Sequence, residues 1–129
     1  MKLLRVGEAG REKIAALDKT NVIRDISDQV DNLTSNTFNN EYLEKIKKID
    51  LSKQKEISSQ TRIGPFINNP KNYFCVGKNF HLHAKEVGST APKNPMIFSK
   101  ANCISGANDD IIIPKDSKKV DWECEIGVC

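Results

Sequence analysis

No run of apolar residues in this chain is long enough to cross a bilayer or to form the core of a signal peptide. The opening "MKLLRVGEAGREK" is instead broken by charges at Lys2, Arg5, Glu8 and Arg11. The expectation is a cytoplasmic protein with no membrane partner. Cysteine and histidine are also scarce. Cys75, Cys103, Cys124 and Cys129 contain no C-x-x-C pair, and His81 and His83 are the only histidines. That set argues against a structural zinc site, and the thiols read better as buried and reduced, in a reducing compartment. Charge of one sign is lacking too. Lys and Arg number 20 against 17 Asp and Glu, a net +3, and the lysines are scattered among acids. A nucleic-acid footprint needs basic residues gathered on one face, so no nucleic-acid partner is expected.

What remains is a globular composition that is lean in apolar residues, 38% hydrophobic against 29% charged. A length of 129 residues suits one ordinary domain, or a small lobe plus part of a larger one. Residues 2–27 read as short strands broken by turns, with Gly7, Gly10 and "DKTN" as the turn signals. "NNEYLEKIKKIDL" spaces Tyr42, Leu43, Ile46 and Ile49 for an amphipathic helix over about 41–49, with Asn40 as its cap. "SKQKEISSQTR" is polar, has no apolar period and reads as a linker. Beyond it, "YFCVG", "PMIFSK", "IIIP" and "DWECEIGVC" predict strands near 73–76, 96–99, 110–113 and 122–128. The predicted class is α+β, mainly β. It comprises a small β-rich lobe over 1–50, a linker over 51–62, and the opening strands of a second β-rich unit over 63–129.

Two features carry chemistry. Between Asn79, a candidate N-cap, and Gly88, a candidate C′ residue, "FHLHAKEV" predicts about two helical turns. His83 and Glu86 are then i and i+3, neighbours on one face. A carboxylate beside an imidazole fixes its tautomer and raises its basicity, which suits a general base acting on water. The same spacing also arises by chance. The second feature is Glu123 and Glu125, which on a strand would project to one face, with Trp122, Cys124 and Ile126 on the other. Two such carboxylates suit a hard divalent cation. They would equally serve as two solvated glutamates of a surface strand.

Taken in order, Gly77, Asn79, Phe80, His83 and Glu86 in a G-x-N-[YF]-x-x-H-x-x-E arrangement, then "PMIFSK", "GANDDIIIP" and "DWECEIGV", resemble the fumarylacetoacetate hydrolase family. The likeness is to its bacterial members with a small N-terminal lobe, and it runs from Met1 to the last residue. The resemblance implies a barrel-like β-roll and action on small 2-oxo or 1,3-dicarbonyl acids by C–C bond hydrolysis, decarboxylation, hydration or isomerisation. It implies Mg²⁺ or Mn²⁺ as cofactor, with Ca²⁺ a further candidate, held by Glu123 and Glu125 and by an Asp on a later segment this chain does not have. It makes His83 the base, Glu86 its orienting partner and Lys100 a weak candidate for contacting substrate. A solvated strand-end lysine explains Lys100 as well. His81 lies off the motif and reads as a bystander. Asp121 is either a second layer around the metal or a turn residue, and Phe80 replaces the family's common Tyr. Family members are often homodimers.

The same likeness makes this chain the front half of such an enzyme, truncated after the E-x-E strand, inactive alone and completed by a separate C-terminal half. The alternative expectation is a non-catalytic remnant or interaction module.

Overall fold

A computed structural model describes residues 1–129. Its elements in chain order are β1 (Lys2–Val6), β2 (Lys13–Leu17), β3 (Ile23–Asp25), α1 (Asn40–Lys47), β4 (Glu56–Ile57), β5 (Phe74–Gly77), α2 (His81–Glu86) and β6 (Met96–Ser99). The class is α+β. Two antiparallel sheets, β1-β2-β3-β4 and β5-β6, are both open rather than closed into a barrel.

The first sheet is a meander because its turns are chemically specified. Gly7 and Gly10 take φ of 124° and 80° between β1 and β2, a region closed to most side chains. Between β2 and β3, the Asp18 carboxylate accepts from the Thr20 amide at 2.8 Å, the Thr20 hydroxyl at 2.7 Å and the Val22 amide at 3.0 Å. That lets Asn21 take φ 62°. Alternation along β2 then divides the core. Ile14 and Ala16 join Ile26, Val30, Leu33, Tyr42 and Ile46 on one face. Ala15 joins Val6 and Ile23 on the other, against Leu17, Ile57 and Ile63. α1 delivers Tyr42 and Ile46, and its cap is Asn39, whose side chain accepts from the Tyr42 amide at 2.9 Å. The cap falls one residue before the expected Asn40, and the helix ends at Lys47 rather than 49.

The polar stretch expected to be a linker holds regular structure. Leu51–Lys53 form a 3-10 turn, and Glu56–Ile57 pair with β3 as the fourth strand of the sheet. The chain stays on the lobe beyond it: Val6 bridges Ile63, and the Gly64 amide donates to the Arg5 carbonyl at 2.7 Å. Four charged residues fasten this crossing. Arg5 Nη2 lies 3.0 Å from Glu12 Oε2, Arg62 Nη1 lies 2.8 Å from Glu12 Oε1, and Arg62 Nη2 lies 2.6 Å from Asp109 Oδ2. Arg5 also donates to Asn32 and to the Pro65 carbonyl. No buried side-chain nitrogen or oxygen in the molecule lacks a partner. That satisfaction is what makes buried charges tolerable. Glycine is needed where the segments cross: a Cβ on Gly64 would lie 2.6 Å from Glu12 Cγ, and one on Gly106 would collide with the Ile63 carbonyl.

β5 and β6 pair from Phe74↔Ser99 to Gly77↔Met96. β6 falls on the predicted residues and β5 one residue later. The predicted strands over 110–113 and 122–128 are not there, because neither run pairs with any other strand of the chain. β-prone sequence becomes a strand only when a neighbour supplies the ladder hydrogen bonds. The thiols depart from expectation in burial: all four are free, but Cys75 is only half-buried and Cys103, Cys124 and Cys129 are exposed. No helix is long and apolar enough to cross a membrane.

Candidate functional site

α2 forms where sequence spacing placed it and contains both His83 and Glu86. Its start is at Phe80, without a side-chain cap, rather than at Asn79. Its end is fixed by Gly88 at φ 67°: the Ser89 amide donates to the Ala84 carbonyl at 2.8 Å and the Gly88 amide to the Lys85 carbonyl at 3.0 Å. These two bonds are a Schellman closure, which requires a left-handed residue and so favours glycine. Lys78, at φ 55°, donates from Nζ to Ser89 Oγ at 3.1 Å and ties the two ends of the helix together. Ala84 is the one buried residue of α2.

His83 Nδ1 lies 3.8 Å from Glu86 Oε2, within ion-pair reach but longer than a hydrogen bond. The side chains are 51% and 80% exposed. Nδ1 faces the carboxylate, so Nε2 is the nitrogen left for a substrate or water.

The glutamates behave differently from the strand expectation. Without a strand over 122–128, the alternation that would aim Glu123 and Glu125 to one face does not apply. Glu123 Oε2 instead lies 3.5 Å from Lys100 Nζ, whose ammonium also stands 6.0 Å from the centre of the Phe98 ring. Glu125 is exposed and forms no ion pair. The Asp121 carboxylate accepts from the adjacent Trp122 amide at 2.8 Å.

The structure therefore makes two pairs, His83–Glu86 and Lys100–Glu123. Nowhere do three or more His, Cys, Asp or Glu side chains gather as a metal-ligating group, so the four predicted residues do not form one metal cluster. The donors fit a hard divalent cation in kind, since both glutamates offer only oxygen. In number they fall short of a cage.

His81, set aside in the sequence, lines a cavity of about 310 Å³ together with Lys78, Asn79 and Lys93. The cavity opens where β5 meets α2. Its only sequence signal was the "GKN" step between strand and helix.

Residues 72–129 match the family model described as fumarylacetoacetate (FAA) hydrolase C-terminal. A "Putative hydrolase" of Burkholderia orbicola (strain MC0-3) is 40% identical over 129 residues, covering 99% of this chain and 46% of the relative. A second of that name, from Burkholderia cenocepacia (strain HI2424), has the same identity and coverage, and one from Burkholderia multivorans is 39% identical. The chain spans about half the length of the curated relatives it matches.

Proposed function

We propose that this chain, whose residues 72–129 match the fumarylacetoacetate hydrolase model, belongs to that family and carries the base and two metal-binding carboxylates of a hydrolase or lyase for small 2-oxo or 1,3-dicarbonyl acids. The observation that carries the reading is the His83–Glu86 pair, placed by α2 within the matched segment.

His83 is the general base. Its Nε2 takes a proton from water, and the oxygen adds to a substrate carbonyl carbon. The C–C bond then breaks with its electron pair passing to the neighbouring carbon, and the proton held by His83 is delivered there. Glu86 positions the ring and favours the proton on Nδ1. Glu123 and Glu125 would hold Mg²⁺ or Mn²⁺, with Ca²⁺ the third candidate. When bound, such an ion supplies Lewis-acid polarisation of adjacent substrate oxygens. Lys100, which pairs with Glu123, would bind a substrate carboxylate once that pair opens.

His83 and Glu86 are open to water, and neither Glu123 nor Glu125 stands in a group of three or more His, Cys, Asp or Glu side chains. The working site accordingly takes its enclosure and remaining ligand from further polypeptide, either a complementary half or a second copy. A fumarylacetoacetate-hydrolase-like β-roll would then form across that junction.

The test is a chimera in which this chain replaces the segment it matches in the Burkholderia orbicola relative. It is assayed with acylpyruvates and related 1,3-dicarbonyl acids, with and without Mn²⁺. Metal-dependent turnover that falls about a hundredfold in His83→Ala supports the proposal. Turnover that survives His83→Ala, or a folded chimera inactive across these acids, rejects it.

A second reading, an interaction module without catalysis, is favoured by one observation: Ile111, Ile112, Ile113, Trp122, Ile126 and Val128 are all exposed. A folded but inactive chimera would favour it.

A further inference from the structure

A cleft of about 790 Å³ lies at one end of the first sheet, formed only by residues of the lobe before residue 53. We propose that it binds a small amphipathic carboxylate, an aliphatic or aromatic acid, held by an apolar floor and two free lysines. Three parts of the chain converge there: the first residues of β1, the turn after β2, and the exit from α1 into the 3-10 turn. The volume lies within the range of small-molecule sites. Leu17, Ile49 and Leu51 supply the floor. Each is half-buried against one of the two core clusters, so the floor is backed by packed side chains rather than by solvent.

The charged lining decides the sign of the ligand. The Asp18 carboxylate already accepts from the Thr20 amide and hydroxyl and the Val22 amide, and its second oxygen takes Arg24 Nε at 2.8 Å. Arg24 turns its remaining reach to the Gln54 carbonyl and Glu56. Asp50 caps the 3-10 turn through the Ser52 amide and hydroxyl and pairs with Lys53 at 3.4 Å. The carboxylates of the cleft are therefore satisfied from within the lobe and call for no cation. Lys2 and Lys19 line the same cleft and take part in no ion pair or side-chain hydrogen bond. The unmet charge is positive, above apolar carbon. A carboxylate with a short apolar tail meets both demands, and a cation of the same shape meets only one.

The probe is octanoate, titrated into the ¹⁵N-labelled full chain, with octylammonium as the control. Saturable shifts at Lys2, Leu17, Lys19, Ile49 and Leu51 are expected with octanoate and not with octylammonium. They should weaken about tenfold in the Lys2→Gln, Lys19→Gln double variant, as loss of two exposed charge contacts implies. Both lysines are exposed, so the variant keeps the fold. A diazirine-bearing octanoate gives a second readout that self-association does not blur. Photolabel should map to peptides spanning 1–24 and 49–52. Equal binding of octylammonium, no saturable shift, or label confined to the exposed apolar stretches after residue 70 would overturn the proposal.

Discussion

The stretches before and after residue 70 bury very different amounts of themselves. Every buried residue except Ala84 and Gly106 lies before residue 65. Ile14 and Ile26 are fully enclosed, while Ile112 is 90% exposed and Val128 95%. The difference is not one of apolar content, since the later stretch holds Ile111–Ile113, Trp122 and Ile126. It is one of partners. The first sheet has four strands, a covering helix on one face and Ile57 and Ile63 on the other. The second has two strands, and β6 is exposed along its whole length. An isolated two-stranded unit is marginal in water, because too little surface leaves solvent to offset the ordering of its backbone. The candidate catalytic pair stands on this second, thinly packed part. The first lobe packs a core of its own, and the segment that bears the candidate site is largely exposed.

The largest expected loss comes from the charged crossing that fastens the two stretches. Glu12→Gln would leave Arg5 buried without its counter-charge and weaken the hold on Arg62. Removing one partner of a buried pair costs about 3–5 kcal/mol. Chemical denaturation of the first lobe should show it, and a loss under about 1 kcal/mol would mean the network is decorative.

Next is a matched pair of core tests. Ile14→Ala should cost about 2–5 kcal/mol and Ile112→Ala about 0.5 kcal/mol or less. Equal costs in denaturant midpoints would break the contrast, because Ile112 would then have to be packed.

The gentlest test is pH. Hydrogen bonds from Arg62 are the leading cause holding both Glu12 and Asp109 below their ordinary carboxylate range. A lowered folded pKa means their contribution is fully present above the unfolded values, near pH 4, and is lost as pH falls through the lowered ones. Near-ultraviolet dichroism should therefore hold constant down to about pH 4 and decline below it. Arg62→Met should flatten that decline, and an unchanged profile would remove the network from the acid response.

How much of this was legible in the sequence follows from the reach of each signal. α2 with His83 and Glu86, the Gly88 closure, β6 and the meander of β1 to β3 are set by neighbours within a few residues, and local spacing found them. Asn39 rather than Asn40 caps α1 because both residues qualify and only the turn geometry chooses. β4 was missed because two residues carry no period, and its pairing with Ile23 and Arg24 spans more than thirty positions. The Arg62–Asp109 contact joins residues 47 apart and is invisible to any local pattern. The strands expected over 110–113 and 122–128 failed for the opposite reason. Their composition is right, but pairing belongs to the partner as much as to the strand, and no segment of this chain pairs with them.

The central proposal is that His83, oriented by Glu86, is the base of an oxo-acid hydrolase site that takes its enclosure from further polypeptide. The most direct measurement is an assay of the purified 129-residue chain with acylpyruvates and Mg²⁺ or Mn²⁺, beside its His83→Ala variant. The expected result is no turnover above that of the variant. Robust, His83-dependent turnover by a monodisperse monomer would contradict it.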